Sequence, residues 1–302
     1  MFRASFIIPS FNSFKTISRT LDSIFGLESS DLILQVIVVD SSDDLETRQL
    51  LKKYTQPQLK IIELTQKCPP GKGRNLGAAH ANGDLLCFID SDVFLDKFWL
   101  NHIIKAYKAG CRVGGGSVGV PNFQRKNFLA LAQLYLQFNE SLRAGEIRRV
   151  LMVPACNMFV ERELFKTVGG FPDLRASEDV LLCLKYGNFT PIWFVPRAHC
   201  FHIFRDEKKP YFQNQMVLGK YIIIYRRMIY HKWYYQEPWA EVFLPLFLMV
   251  KTVQITGRIM NAGRAHLKKY ILSFPLFLAG LFYWGVGFYQ GAHQRNMAGD
   301  KN

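Results

Sequence analysis

Apolar and polar positions in the first two thirds of the chain predict strands and helices in alternation. A continuous apolar run rich in β-branched residues ends at Asp40, and a second apolar run, LLCFI, ends just before Asp90. Such runs are typical of strands buried on both faces. Between them, residues such as Ile17, Leu21 and Ile24 recur at the three- to four-residue spacing of an amphipathic helix. Strands that alternate with helices in this way predict an α/β fold with right-handed crossovers.

Acidic residues stand where the two buried strands are predicted to end. Ligands of open α/β sheets collect beyond the carboxyl ends of the strands, so Asp40 and Asp90 are placed to meet one. Asp90 and Asp92 are separated by one residue, and two such carboxylates can together hold a hard divalent cation, Mg²⁺ or Mn²⁺. Because loops contain many such pairs, this pair is weak evidence by itself.

The pattern changes at Asp206, where we place the boundary between a domain of residues 1–205 and a module of residues 206–302. The module holds 13 of the 38 Lys and Arg residues but only 5 of the 24 Asp and Glu residues. More than half of the net charge of +14 therefore lies in the last third of the chain. Because this third is also the most apolar and aromatic part, a membrane surface is favoured over nucleic acid as its partner.

Three stretches of the module are predicted to meet a membrane in different ways. Residues 207–236 interleave cations with aromatic residues, which suits a helix in the headgroup region. Residues 270–291 carry no charge over 22 positions, a length of about 33 Å that spans a bilayer. Residues 242–256 contain Lys251, and a second span there would carry basic residues across the membrane, against the positive-inside tendency. A single span, a hairpin or re-entrant segment, and a buried core helix all stay open.

The cysteines and the N-terminus indicate the compartment. Six cysteines are scattered singly, without the spacing of a disulfide framework or a zinc ribbon. The first apolar run is interrupted by Pro9 and Asn12 and is too short for a signal peptide. Both features favour reduced thiols and a catalytic domain in the cytoplasm.

Four motifs resemble, in the same order, those of glycosyltransferase family 2. They are FIIPSFN, VVDSSDD, GKGRNLGAAHANGDLLCFIDSDV and FKTVGGFPDLRASEDVLLCLKYG. They are distributed in the family's order over about residues 5–205, and four ordered motifs are specific for the family but say little about the sugar. The resemblance implies a GT-A-like mixed, mostly parallel sheet flanked by helices. It also implies metal-dependent transfer, with inversion, of a sugar from a nucleotide-diphosphate donor to a hydroxyl group.

The same resemblance implies roles for individual residues. The residues that would border the nucleobase, ribose and donor are Pro9, Asn12, Asp40, Lys72, Arg74, Asn75 and Asp90. Asp92 would ligate the metal, with His202 as a further ligand, and Asp179 would be the general base beside Glu178. Two of these roles have an independent physical basis. Cations complement a diphosphate, and a carboxylate close to a hydroxyl can remove its proton as the new bond forms.

Other interpretations stay open at this level. Ser177, Glu178 and Asp179 are also a good helix start, and Lys72 and Arg74 could belong to a solvated loop. The rival functions are a nucleotidyltransferase on a similar sheet and a non-catalytic membrane scaffold derived from a transferase. For a transferase at a membrane, we expect the acceptor to be lipid-linked or a growing glycan.

Overall fold

The computed structural model describes residues 3–29, 32–173 and 176–294, which form two compact units. The first unit comprises Met1–Pro121 and Ser141–Ile203, and the second comprises Asn122–Glu140 and Phe204–Asn302. The segment 122–140 thus packs with the C-terminal helices, a long-range arrangement that the sequence pattern does not indicate. The division into domains at residue 205 stays a prediction.

Within the described residues, the secondary structure follows the predicted alternation. The strands are β1 (Ala4–Ser10), β2 (Ile33–Asp40), β3 (Leu59–Glu63), β4 (Leu85–Ile89), β5 (Val93–Leu95), β6 (Val113–Gly119), β7 (Arg148–Val150), β8 (Asn157–Glu161) and β9 (Ile192–His202). The helices are α1 (Ile17–Phe25), α2 (Leu45–Leu51), α3 (Pro70–Ala79), α4 (Trp99–Lys108), α5 (Phe128–Phe138), α6 (Arg162–Thr167), α7 (Glu178–Gly187), α8 (Lys208–Tyr230), α9 (Trp239–Val242), α10 (Leu244–Asn261) and α11 (Arg264–Ala292).

The strands of the first unit form one mixed sheet in the order β3-β2-β1-β4-β8-β6-β9-β5, with β7 paired to β9. The pairings among β3, β2, β1 and β4 are parallel, whereas β8 is antiparallel to both of its neighbours. The mixed α/β fold predicted from the sequence is confirmed.

The carboxyl ends of β1, β2 and β4 meet at one side of the sheet, which we call the carboxyl edge. Ser10 lies opposite Asp40 in the register of β1 and β2, and Asp90 directly follows β4. At the other end of the sheet, Val93 of β5 lies opposite His202 of β9. This pairing brings the turn that contains Asp92 next to the end of β9.

Helix α3 packs closely on β1, and this contact depends on a glycine. A Cβ at Gly77 would lie 2.5 Å from Cγ2 of Ile7 and 3.3 Å from Cγ2 of Val39. Because both partners are buried in the core, neither has room to move away. The close approach positions the residues that α3 carries at its other end.

The variant Gly77→Ala is therefore expected to lower the free energy of unfolding by about 1–3 kcal/mol, because the added methyl group overpacks the contact. Denaturant unfolding followed by intrinsic fluorescence measures the change. Gly187→Ala is the matched control, since a Cβ at Gly187 meets nothing within 4 Å. Equal stability of the two variants would contradict the close packing of α3.

Two predicted helices have different bounds in the structure. The spacing of apolar residues from Phe128 to Phe138 predicts a long amphipathic helix over residues 125–150. This prediction is wrong beyond Phe138, because α5 ends there and is followed by turns and β7. The sequence also predicts a helix over Asn75–Ala81, and the structure shows that this helix, α3, begins earlier, at Pro70, where the fixed φ of proline suits the first helical position. All six cysteines are free thiols, and five of them are buried.

The second unit consists of helices that approach closely through glycines. A Cβ at Gly287 or Gly291 of α11 would collide with the α8 carbonyl of Met216 or Lys220, respectively. Small residues at such contacts are typical of helices packed in membranes. Among the described helices, α11 alone is long and apolar enough to cross a membrane, and 44% of its most apolar stretch is buried. A core helix of a soluble protein meets the same criteria.

Candidate active site

Asp40, at the end of β2, is buried and held by two hydroxyl groups. Its Oδ1 accepts hydrogen bonds from the hydroxyl of Ser10 at 2.8 Å and that of Ser42 at 2.6 Å. Its Oδ2 is also buried, and none of the described residues donates a hydrogen bond to it. Because a buried oxygen without a donor is costly, Oδ2 is suited to accept a hydrogen bond from a ligand.

Asn12 organises the two loops at the carboxyl edge. Its backbone is left-handed, with φ of 50°, a conformation that asparagine tolerates better than most residues. Its side-chain oxygen accepts hydrogen bonds from the amides of Asp43 and Asp44 at 3.1 and 3.3 Å. Pro9 lies beside Val39 in the register of β1 and β2. Both predicted residues are therefore at the edge, and contact between either of them and a nucleotide stays a prediction.

Arg74 is buried near the start of α3 and joins two acidic motifs. One guanidinium nitrogen donates to Asp90, and another donates to Oε1 of Glu178 at 2.9 Å. The ring centre of Phe171 lies 5.3 Å from the guanidinium carbon. The Asp-x-Asp turn and the start of α7 therefore lie against the same side chain. Two carboxylates share its charge, and direct contact with a diphosphate stays a prediction.

The other two residues that α3 contributes hold the segment at 171–173. Lys72 forms an exposed ion pair with Asp173, with 2.8 Å between Nζ and Oδ2. Asn75 binds the backbone of Phe171 twice, accepting from its amide at 2.9 Å and donating to its carbonyl at 2.8 Å. The side chains of both residues are thus engaged with the protein, and their predicted donor contacts remain predictions.

The Glu-Asp pair lies at the first turn of α7, after a strained residue. Ser177 has a left-handed backbone, with φ of 66°, which costs a serine about 1–3 kcal/mol. The helix start is confirmed, but the hydroxyl of Ser177 makes no capping bond in the described part of the chain. Asp179 binds backbone amides instead, that of Val180 at 2.8 Å and that of Ala155 at 3.4 Å.

Burial raises the pKa of both carboxyl groups of this pair. For Glu178, desolvation and the charge of Asp179 raise the pKa, and Arg74 opposes them. For Asp179, desolvation raises the pKa, while Arg74 and the two backbone amides oppose it. A carboxylate with a raised pKa takes up a proton more readily than an exposed one, which suits a general base.

Asp92 and His202 lie side by side where β9 ends, 3.7 Å apart between Oδ1 and Nε2. The amide of Ile203 donates to the carbonyl of Asp92 at 2.8 Å, so the backbone holds the two segments together. Two ligands that are each about 2.1 Å from one metal ion lie roughly 3–4 Å apart. The separation therefore fits a shared divalent cation.

The tautomer of His202 fits the same role. Its Nδ1 lies 3.1 Å from the carbonyl oxygen of Ile203, which can only accept, so Nδ1 carries the proton. In a neutral imidazole with the proton on Nδ1, Nε2 is the nitrogen left to ligate a metal, and it lies on the side of Asp92. Within the described chain, no group of three His, Cys, Asp or Glu residues could hold a metal. A cation here would take its remaining ligands from substrate and water.

His199 does not share this position. Residues three apart on a strand point to opposite faces, so His199 and His202 of β9 cannot bind one ion together. His199 is buried, and its Nδ1 lies 2.7 Å from the hydroxyl of Ser117. The H-x-x-H spacing of these two histidines in the sequence could suggest a zinc site, but the structure does not bring them together as ligands of one ion.

The sequence that forms most of this site also matches the model of a known protein family. The family model of Glycosyl transferase family 2 matches residues 5–169, more than half of the chain. The chain belongs to this family. As a family 2 member it carries the matched segment from β1 through α6, which includes the carboxyl edge, α3 and the Asp-x-Asp turn. The start of α7 and His202 lie beyond the matched residues.

Curated relatives of this family 2 chain share low to moderate identity with it. It is 24% identical over 208 residues to the probable glycosyltransferase YdaM of Bacillus subtilis, covering 65% of this chain and 49% of YdaM. It is 34% identical over 99 residues to the poly(ribitol-phosphate) beta-N-acetylglucosaminyltransferase TarS of Staphylococcus aureus, covering 32% of this chain and 17% of TarS. The chain thus spans about half of YdaM and a smaller part of TarS.

Two solved structures share the fold over nearly the whole chain. The mannosyltransferase PcManGT from Pyrobaculum calidifontis, in complex with GDP-Man and Mn²⁺, matches with a TM-score of 0.61 and 19% identity, covering 95% of this chain and 87% of that one. TarS 1–349 from S. aureus, in complex with UDP-GlcNAc, matches with a TM-score of 0.54 and 19% identity, covering 97% and 93%. The family and the GT-A fold expected from the sequence motifs are confirmed.

Several residues at this edge were not found from the sequence. Ser10 and Ser42 donate hydrogen bonds to Asp40. Both residues belong to the motifs at the ends of β1 and β2, and a hydroxyl next to a buried carboxylate could have indicated these hydrogen bonds. Phe171 was missed because its contact with Arg74 joins positions 97 residues apart. No local pattern indicates such a contact.

Proposed function

We propose that this chain transfers a sugar, with inversion, from a nucleotide-diphosphate donor to a hydroxyl group, using a divalent metal ion. The observation that carries the proposal is the double contact of Arg74 with Asp90 and Glu178. Through this contact, the motif that contains the proposed metal ligand Asp92 and the motif that contains the proposed base Asp179 share one buried partner. A transfer reaction needs the donor and the acceptor to be bound next to each other. Family membership supports the same reaction class.

Asp40 is the proposed contact for the donor nucleotide. Its Oδ2 is buried at the carboxyl edge and can accept a hydrogen bond from an N–H of a base or an O–H of a ribose. The hydroxyls of Ser10 and Ser42 fix the carboxylate, so little conformational freedom is lost on binding. Pro9, Asn12 and Asp90 would border the same nucleotide.

Asp92 and His202 are the proposed metal ligands. A carboxylate and an imidazole suit Mn²⁺ better than Mg²⁺, which prefers oxygen ligands throughout. PcManGT and GalNAc-T7 are solved with Mn²⁺. A cation held there would neutralise the charge that develops on the diphosphate leaving group.

Asp179 is the proposed general base. An ionised Oδ of Asp179 would take the proton from the acceptor hydroxyl while the hydroxyl oxygen bonds to the anomeric carbon. The bond from that carbon to the diphosphate oxygen breaks on the opposite face, which inverts the configuration. Glu178, bound to Arg74, would hold the start of α7 in place.

The finer parts of the proposal concern the acceptor and the location. A basic, apolar C-terminal part favours a membrane-associated enzyme acting on a lipid-linked or growing glycan. Free thiols at all six cysteines suit a catalytic unit in the cytoplasm.

Removing the metal ligands should separate their roles. Asp92→Asn is expected to abolish detectable turnover and weaken Mn²⁺-dependent binding of nucleoside diphosphate, because a neutral amide is a poorer ligand. His202→Ala should weaken metal affinity about 10- to 100-fold, within the range seen when metal-site partners are lost. Calorimetric titration with UDP or GDP at fixed Mn²⁺ measures both. Unchanged metal dependence in Asp92→Asn would refute its assignment.

The rival nucleotidyltransferase differs in its product. A sugar transferase releases UDP or GDP when a hydroxyl acceptor is present, whereas a nucleotidyltransferase releases pyrophosphate. Chromatography of the reaction products therefore tests the proposed reaction. Release of pyrophosphate would overturn it.

A further inference from the structure

Helices α9 and α10 turn an uncharged apolar face outward. The exposed side chains on this face are Val242, Leu246, Met249, Val250, Val253 and Met260. They recur at helical spacing over about 27 Å, and exposures reach 66% at Val253. We call these six residues the outward face. A helix on the surface of a soluble protein normally shows polar residues on this side.

Two polar residues of α10, Lys251 and Thr256, are turned toward α11, whereas Gln254, Arg258 and Asn261 are exposed beside the outward face. Nζ of Lys251 lies 4.8 Å from the ring centre of Trp284 in α11. The hydroxyl of Thr256 lies 3.0 Å from that of Tyr270, also in α11. The helix thus exposes apolar side chains on the outward face and directs the ionisable side chain of Lys251 to the interior. This is the arrangement of helices that face lipid, where ionisable side chains point to the protein interior.

Cations and tryptophans stand at the ends of the outward face. Exposed Lys232 precedes it, with Trp233 and Trp239 packed edge to face at 5.4 Å. Exposed Arg264 and Lys268 follow it, at the start of α11. Tryptophan is enriched at membrane interfaces, and cations near an apolar helical face bind anionic headgroups. The charge of the segment therefore complements an anionic lipid surface.

We infer that the outward face docks on an anionic phospholipid bilayer, with α10 lying along the membrane surface. The inference deepens the membrane location in the proposed function and is independent of the sugar-transfer chemistry. Docking of α10 along the surface keeps Arg264 and Lys268 among headgroups, whereas a span would carry them across the bilayer. Exposed Leu278 and Phe282 of α11 extend the apolar surface.

Sedimentation of the full chain with vesicles tests this inference. The triple variant Leu246→Gln, Val250→Gln, Val253→Gln should lower the partition coefficient on vesicles of phosphatidylcholine with phosphatidylglycerol by more than about tenfold, since it removes apolar area that lipid would bury. The matched control changes three exposed apolar residues of the first unit, Leu45→Gln, Ile147→Gln and Leu151→Gln, and should bind like wild type. Wild type should bind less to phosphatidylcholine alone and at high salt.

A second measurement tests the inference even if the triple variant does not fold. Val253→Cys, in a Cys68→Ser background and carrying an environment-sensitive dye, should show a blue shift on adding the mixed vesicles. No shift, or equal partition of the triple variant and wild type, would overturn the inference. A wild-type dimer that ignores vesicles and that the triple variant converts to monomers would overturn it too, and assign the face to a second copy. Release of nucleoside diphosphate without vesicles should be the same in the triple variant, so failure of docking and failure of the proposed reaction are distinguishable.

Discussion

Replacing Asp179 by asparagine is expected to lower the rate of sugar transfer by about 10²–10⁴-fold, the usual contribution of a positioned general base. The amide keeps the shape of the side chain, and its oxygen can still accept the shorter of the two backbone hydrogen bonds, that of Val180. It has no basicity, so the acceptor hydroxyl keeps its proton. Donor and metal affinity should stay near the wild-type values, because Asp179 is proposed to contact neither. Steady-state kinetics with donor-binding titrations separate the two effects.

Glu178→Gln is the matched control for this variant, one residue away in the same turn. It should reduce transfer less, because Glu178 is bound to Arg74 and is proposed to position the turn rather than take a proton. Equal losses of donor affinity and rate in Asp179→Asn would make Asp179 a donor-binding residue. Near-normal transfer would reduce its role to holding the helix start.

The raised pKa of Asp179 predicts how the activity of a chain that uses Asp179 as its base depends on pH. Asp179 must be ionised to act as a base, so activity should be lost as the pH falls through its pKa. Because burial raises that pKa, the loss should begin at a higher pH than for an ordinary aspartate. The linked stability has the opposite sign: a raised folded-state pKa stabilises the fold at low pH, and that stability is lost as the pH rises through it. Asp179→Asn should therefore be at least as stable as wild type near neutral pH.

Arg74→Met is expected to have the largest effect on stability. It removes a buried guanidinium from Asp90 and Glu178, whose charges would be left unpaired. Breaking a buried ion pair from one side costs about 3–5 kcal/mol. For a unit of this size, the loss corresponds to a fall in Tm of roughly 6–20 °C. Differential scanning calorimetry measures it.

Two further variants make the Arg74 result interpretable. Arg74→Lys keeps the charge but cannot bind two carboxylates with a planar fork, so its stability should be intermediate. Lys72→Met, on the same helix, removes only an exposed ion pair and should change Tm little. A Tm near the wild-type value in Arg74→Met would show that the two acidic motifs do not depend on this residue.

The fold was predictable where local patterns are strong and not where distant segments meet. Continuous apolar runs predicted the buried strands that end at Asp40 and Ile89. The short strands β5 and β7 have three residues each, too few for a periodic signal, and owe their existence to pairing with β9. The sequence predicts a strand only over Pro191–Val195, whereas β9 continues to His202, where it pairs with β5. The packing of residues 122–140 with the second unit likewise depends on contacts that no local pattern contains.

The site residues were predictable as a set but not in their arrangement. Motif order and strand ends brought Asp40, Asp90 and Asp92 to one edge in the prediction. The sequence did not indicate that Arg74 would be shared by two carboxylates, because its partners lie 16 and 104 residues away. It also could not show that Nδ1 of His202 lies against the carbonyl of Ile203, because this contact depends on the geometry at the end of β9.

The most direct test of the proposed reaction is the product formed from nucleotide sugars. Thermal shift with Mn²⁺ first selects the UDP- or GDP-sugars that bind, since binding to the folded state alone raises Tm. The selected donors are then incubated with wild type and with Asp179→Asn, with and without EDTA and a hydroxyl acceptor, and the nucleotide product is measured. We predict acceptor-dependent release of nucleoside diphosphate by wild type, lost with EDTA and reduced at least about 100-fold in Asp179→Asn. Release of pyrophosphate, or metal-independent release that Asp179→Asn leaves unchanged, would contradict the account.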